Sequence, residues 1–375
     1  MKLLLCSPYL QLPGIIPGGI NVWANNILKY RETVESDINV IPVSFDRRNY
    51  VSVDSNIVKR MYLGVKEHFS AIKDAIGKMD SEKPELMHVC TSASISLTKD
   101  IILVNAARKR HIKSIVHFHF GRIQELARKQ NWEWKLVKRI VQTADATVTM
   151  DMKSYQTLTG LGYKNIHYCP NPLSMAVMSQ IQKEKSIVER IPGKLLFVGH
   201  VLPSKGVYEL MNACKQFDGI ELHIIGKAEE PVRSELLQMA SEKDGGTWLK
   251  MRGEIPHDEV LREMMSAVAF VFPSYTEGFP NVILEAMACG CPIVTTTIGA
   301  IPEMLDIEHG FNHGICVEPQ NAHAFAEGLR KMISDPSYAS ACAEKAEKRV
   351  NEMYAVPVVW EQLSNIWRNV CCQEK

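Results

Sequence analysis

Lys205, Glu277 and Glu285 have the residue types and settings to hold a ligand that carries both phosphate and hydroxyl groups. Glu277 lies in the Gly/Pro loop Pro273-Ser274-Tyr275-Thr276-Glu277-Gly278-Phe279-Pro280, and a helix is expected from about Asn281, ending at Gly290. The first backbone N–H groups of a helix lack intrahelical acceptors and sit at the positive end of its dipole. Gly278, Phe279, Pro280, Asn281 and Val282 therefore form a start that favours phosphate. Glu285 falls about one turn inside that helix. The two carboxylates can flank one ligand, one near a sugar and the other near a ribose. Standing alone, an E-x7-E spacing reads as one acid complementing the dipole and one solvated helix residue. It does not stand alone here. Phe197-Val198-Gly199-His200-Val201-Leu202-Pro203-Ser204-Lys205-Gly206 is a second strand–loop–helix with a lysine at the helix entrance. A lysine there can neutralise a pyrophosphate, and Gly206 lets backbone approach closely. By itself Lys205 reads equally well as a surface lysine of a βα loop.

The first half of the chain offers weaker signals. Pro17-Gly18-Gly19-Ile20 follows the first strand and precedes a helix, a setting that suits close approach of phosphate or sugar. It is not a dinucleotide fingerprint, because no G-x-G-x-x-G is present. His117-Phe118-His119 ends an expected strand, where the ligand-facing residues of parallel sheets sit. The two histidines share a face by strand alternation, and His119, nearer the strand end, is the better candidate.

These positions need an α/β frame to hold them. Apolar strands are expected at Lys2–Ser7, Ile38–Ser44, Leu86–Cys90, Ser114–His119 and Ala146–Met150. Helical patterns separate them at Ile20–Arg31, Ile57–Met79, Ile101–Arg110 and Arg122–Val141. Cys169-Pro170-Asn171-Pro172 is a strong breaker, after which the alternation restarts at Lys194–Val198. The pattern predicts two Rossmann-like doubly wound domains, residues 1–170 and from 171 onward, facing each other across a cleft that holds the site.

The chain has 375 residues, 46% hydrophobic and 23% charged, which describes a globular protein long enough for two domains. No apolar run reaches the roughly 18 residues of a membrane span. Met1 to Cys6 imitates a signal peptide, but Pro8 and Pro13 interrupt it, and a buried first strand explains it better. The ten cysteines form no paired framework and read as reduced thiols of a cytoplasmic protein. The net charge of +1 hides a split: residues 1–170 carry 24 Lys+Arg against 15 Asp+Glu, so the remainder is net acidic. The basic half is expected to face something anionic.

Taken together, Gly18-Gly19, His119, Gly199 to Gly206, Gly226, Glu277 to Gly290 and Gly299-Ala300-Ile301-Pro302-Glu303 resemble glycosyltransferase family 4, retaining enzymes of the GT-B architecture (glycosyl transferases group 1). The run E-G-F-P-x-x-x-x-E-A-M-A-x-G-x-P is the most specific part. The resemblance implies a hexosyltransferase of polysaccharide biosynthesis whose co-substrate is a nucleotide-diphosphate sugar, UDP ahead of GDP, with no other cofactor and no nucleic-acid partner. Glu277 would contact donor-sugar hydroxyls, Glu285 the ribose, and Lys205 the diphosphate. Gly18, Gly19, Gly199, His200 and the backbone from Gly278 to Val282 would complete the donor site, with His119 near the reacting sugar. Domain 1–170 would bind a glycan or lipid-linked acceptor, and 171–355 the donor. The terminal helix within 356–375 would cross back to the first domain. Two positions depart from the family pattern: His200 stands where arginine is usual, and Thr147-Val148-Thr149-Met150-Asp151 lacks its serine.

Cleaving an anomeric C–O bond leaves negative charge on the diphosphate, which Lys205 and helix starts can stabilise without a metal. No D-x-D occurs in the chain, in keeping with a metal-independent enzyme. Two rivals stay open, a nucleotide-sugar epimerase of the same fold and a non-catalytic sugar-nucleotide-binding subunit. Within the expected helix Arg122–Val141, Arg128, Trp132, Lys135 and Arg139 recur at steps of four, three and four. They predict peripheral contact with anionic lipid at the inner face of a membrane. A solvated basic face is an equal alternative.

Overall fold

The computed structural model describes residues 1–9, 18–46 and 57–372, the stretch 57–65 by its backbone. The chain divides into two compact units, one made of Met1–Pro172 with Val356–Lys375, the other of Leu173–Ala355. Pro17 and Pro13 lie outside the described residues.

The first unit contains strands β1 (Lys2–Ser7), β2 (Asn39–Ser44), β3 (Leu86–Thr91), β4 (Lys113–Phe118), β5 (Ala146–Thr149) and β6 (Ile166–Tyr168). They form one parallel sheet in the order β2-β1-β3-β4-β5-β6. β1 is central, which is why Leu3, Leu4 and Leu5 are all fully buried: a strand covered on both faces must be apolar at every position. One face packs Leu4, Met87, Val116 and Phe118 against Trp134 and Val137. The other packs Leu3, Leu5 and Ile115 against Trp23 and the helix Val356–Cys372, through Val359, Leu363 and Trp367. The indole Nε1–H of Trp367 donates to His88 Nδ1 at 2.9 Å.

The second unit contains β7 (Lys194–Val198), β8 (Glu221–Ile225), β9 (Leu249–Gly253), β10 (Ala269–Phe272), β11 (Ile293–Thr296) and β12 (Ile315–Val317), ordered β12-β11-β10-β7-β8-β9. The chain leaves β7 toward β8 on one side, and β10 continues on the other. Loops leaving the carboxyl ends of β7 and β10 therefore diverge and open a crevice. In the first unit the same divergence occurs between β1 and β3.

Each unit is α/β with a parallel, doubly wound sheet, as the alternation predicts. Strands β6 and β12, three residues each, carry too few positions to show a pattern. One expectation is corrected. The helix expected over Arg122–Val141 is two helices, Ile123–Lys129 and Trp132–Thr143. Gln130 takes a left-handed conformation at φ 50° that ends the first. Asn131 Oδ1 accepts the Trp134 N–H at 3.0 Å and starts the second. Apolar periodicity runs through this break because both helices bury one face: Ile123 and Leu126 on the first, Trp134 and Val137 on the second. Arg128 thus lies on a different helix from Trp132, Lys135 and Arg139.

Candidate functional site

In the second unit the crevice between β7 and β10 gathers the expected residues. β7 ends at Val198 and hands Gly199 and exposed His200 to the loop, which tightens into a 3-10 turn at Pro203–Lys205. The helix Val207–Cys214 follows. β10 ends at Phe272 and hands on Pro273 to Pro280, after which the helix Asn281–Ala288 begins without a side-chain cap or an acid in its first turn. That start leaves its dipole uncompensated and suits an anion.

Close backbone approach locks the two loops together. Gly206 has φ 71°, and a Cβ there would lie 2.1 Å from the Pro273 carbonyl oxygen. The Tyr275 N–H also donates to the Ser204 carbonyl at 2.9 Å. On the far side Gly299 has φ 58°, and a Cβ would meet the Glu277 carbonyl oxygen at 2.4 Å. Ala300 N–H reaches the Gly278 carbonyl at 2.9 Å, and Thr296 Oγ1 reaches that of Ser274 at 2.6 Å.

This scaffold places Lys205 Nζ 2.5 Å from Glu277 Oε1, and Ser274 Oγ donates to the same oxygen at 2.7 Å. An ammonium, a carboxylate and a hydroxyl thus converge at one strand switch. Glu285 faces a different partner: His257 Nε2 lies 2.9 Å from its Oε1. The hydrogen bond to Glu285 raises the His257 pKa, outweighing the opposite effect of burial. Phe279 contributes backbone only, because its ring is buried edge-on against Tyr354 at 5.7 Å. His200 stands close enough to Glu229 to help lower that carboxyl, after the larger effect of its hydrogen bond from Lys227. A cavity of about 380 Å³ opens beside Gly226 and Gly253, at the ends of β8 and β9.

Gly18, Gly19 and His119 belong to the first unit. Gly18 is the extended N-cap of the helix Gly19–Thr33, which has no acid in its first turn. His119 follows β4, its ring 4.0 Å from that of His117 and 5.0 Å from that of Trp23. Burial pushes His119 and His88 down to about 3, and His117 well down, so all three imidazoles are neutral at pH 7. His119 Nε2 and His88 Nε2 are buried without a partner.

His88, Cys90 and His117 present possible ligand atoms within 4.8 Å of one another. Because the Trp367 N–H points at His88 Nδ1, that nitrogen carries the lone pair and the proton sits on Nε2. A neutral His88 therefore has no free lone pair for a cation, and the trio offers two ligands. Sequence reasoning gave no role to Ser274, although it lies within the recognised loop, and it missed His257. The latter lies 28 positions from Glu285, and no local pattern links them. It also missed a cavity in the first unit, at the carboxyl ends of β1 and β3.

Residues 179–349 match the family model of glycosyl transferases group 1. The capsular polysaccharide biosynthesis glycosyltransferase CapM of Staphylococcus aureus is 27% identical over 46% of this chain and 44% of its own length. The chain spans about half the length of the first curated relatives it matches. Among solved structures, sucrose-phosphate synthase from Thermosynechococcus elongatus superposes with a TM-score of 0.74, covering 98% of both chains at 16% identity. Anabaena HepE in complex with UDP superposes with a TM-score of 0.73 at 16% identity, over 98% of this chain and 100% of that one. These likenesses carry the fold, the GT-B pair of Rossmann-like domains.

Proposed function

We propose that this chain, whose residues 179–349 match the family model of glycosyl transferases group 1, is a glycosyltransferase that moves a sugar from a nucleotide diphosphate to a glycan or lipid-linked acceptor. The observation that carries the reading is the convergence of Lys205, Glu277 and Ser274 at the β7/β10 switch beside an uncapped helix start. Lys205 and the Asn281 helix start receive the diphosphate, Glu277 accepts hydrogen bonds from sugar hydroxyls, and Glu285 holds the ribose. The cavity beside Gly226 and Gly253 leaves room for the base. UDP is the favoured nucleotide, supported by the HepE complex. A capsule-type glycan is the favoured product, supported by the CapM relative.

In the reaction, an acceptor oxygen forms a bond to C1 as the bond from C1 to the phosphate oxygen breaks. The electron pair leaves on the diphosphate, and the acceptor proton passes to that leaving oxygen. Lys205 is present before charge develops, so little reorganisation is needed. Same-face substitution follows from this proton route, because the leaving phosphate lies on the face the acceptor enters. The absence of D-x-D supports chemistry without a bound cation.

The test is a thermal-shift screen against UDP- and GDP-sugars, followed by NMR of the product anomer. Stabilisation by one donor and a product of unchanged anomeric configuration are expected. Donor consumed equally without acceptor points to the epimerase reading, and binding without turnover to a non-catalytic subunit.

A further inference from the structure

The Glu285 carboxylate, assigned above to the ribose, is itself held by a residue from another element. The loop after β9 leaves Glu254 on the wall of the cavity beside Gly226 and Gly253 and ends at Pro256, the N-cap of the helix His257–Ser266. His257 is therefore the first residue of that helix, and its Nε2 lies 2.9 Å from Glu285 Oε1. Among the described residues, no hydrogen bond engages the other carboxylate oxygen, Oε2. The carboxylate is mostly covered while the imidazole is half exposed, so the ring exchanges its proton with solvent.

A carboxylate accepts at both oxygens. With Oε1 fixed by a donor, the side chain loses freedom that a ligand would otherwise have to remove, and Oε2 is presented to the ribose hydroxyls. The two forms of the imidazole do this unequally. The imidazolium donates from both nitrogens and makes a charge-assisted bond. The neutral ring donates from Nε2 in one tautomer only, and the other tautomer turns a lone pair toward the carboxylate. Glu285 favours the cation and raises the His257 pKa, with Asp258 adding to it, against burial and the positive start of the helix. Cations on the neighbouring elements are engaged by other acids. Arg262, on the same helix, is held at 2.7 Å by Glu184 of the helix Met175–Glu184, and Lys185 beyond it by Glu347. Lys194 of β7 and Arg252 of β9 meet Glu263 at 2.7 and 3.3 Å. Cys289, one turn beyond Glu285, is buried, which holds it as a thiol.

We propose that His257 is a positioning residue that makes the donor site specific for a ribonucleotide: by holding Oε1 it aims Oε2 of Glu285 at the ribose hydroxyls. This rests on the glycosyltransferase reading for the presence of a nucleotide, whereas the contact of His257 with Glu285 is independent of it. Because the imidazolium holds the carboxylate better, the preference for ribose is greatest while the ring is protonated. It declines as pH rises through the raised His257 value.

Calorimetric titration of the full chain with UDP and GDP, each beside its 2′,3′-dideoxy counterpart, tests this between pH 6 and pH 8.5. The ratio of the two affinities reports the ribose contacts, because base, diphosphate and His200 are common to both probes and cancel. In wild type at pH 6 the ribose form of at least one nucleotide should bind about tenfold or more tightly than its dideoxy form, the scale of a hydrogen bond to a charged group. That ratio should fall about threefold toward pH 8.5, as a charge-assisted bond becomes a neutral one. His257→Ala should lower the ratio about threefold or more at pH 6, having no donor for Oε1. His257→Gln, whose amide N–H can take the place of Nε2–H, should restore most of it and make it independent of pH. The proposal is overturned, with the transferase reading intact, if a nucleotide binds but its dideoxy form binds equally well or the wild-type ratio is flat with pH. The same follows if His257→Ala keeps the wild-type ratio, or if His257→Gln keeps the wild-type pH dependence. If neither nucleotide binds wild type at any pH, the transferase reading fails and this proposal falls with it.

Discussion

Lys205 and Glu277 form an ion pair, so a diphosphate drawn to the ammonium would have to compete with that carboxylate. Lys205→Ala is expected to lower turnover by roughly 10²-fold, the scale for removing a preorganised charge donor. Retention of activity within about threefold would reduce it to a loop lysine. At His200, replacement by arginine adds a permanent charge and a forked donor, so His200→Arg should tighten donor binding in a titration. Unchanged affinity would place His200 away from phosphate. His257 adds a pH signature. Its pKa is raised by Glu285, so the pair's contribution to stability is fully present below the ordinary imidazole value. That contribution disappears as pH rises through the raised value. The melting temperature of wild type should fall across that window by more than that of His257→Gln, and parallel curves would show that the pair does not form.

At the scale of elements, the strand pair β3/β4 carries imidazoles that must stay neutral to remain buried. Their folded pKa values lie below the unfolded ones, so stability is present above about 6.5 and is lost as pH falls through that value toward about 3. For His88 the loss at pH 5 is on the order of 2 kcal/mol. Urea midpoints should drop between pH 7 and pH 5. His117→Phe should shrink that drop, because it removes a ring that burial holds neutral. An unchanged pH slope in His117→Phe would mean that His117 does not gain a proton on unfolding in this range.

The split between Ile123–Lys129 and Trp132–Thr143 changes the membrane expectation in a defined way. Trp132, 54% exposed, shares a face of the second helix with exposed Lys135 and Arg139. Reversing Lys135 and Arg139 to Glu should abolish salt-sensitive binding to phosphatidylglycerol vesicles and leave donor binding intact. If wild type ignores such vesicles at low salt, the basic face is merely solvated.

For the whole molecule, no helix among the described residues is long and apolar enough to cross a membrane. A donor binding the folded second unit stabilises it by mass action, by about 2.7 kcal/mol at a hundredfold excess over the dissociation constant. Activity should persist in excess chelator, measured as product formation with EDTA. Loss that Mg²⁺ or Mn²⁺ restores would end the metal-free scheme.

The amino-acid sequence by itself determined the alternating α/β frame and the loop from Pro273 to Gly290. It also marked Lys205 before Gly206, because each of these is a local matter of apolar period, helix start or glycine at a turn. It could not determine which helix a residue joins when one apolar period continues through a break, as at Gln130 and Asn131. Nor could it pair His257 with Glu285, or bring Phe45 over Lys99. Those contacts join segments far apart along the chain, and only the order of strands in each sheet decides which segments meet. The two cavities at strand ends follow the same rule. Their residues are ordinary in sequence, and they become a site only where parallel strands end side by side.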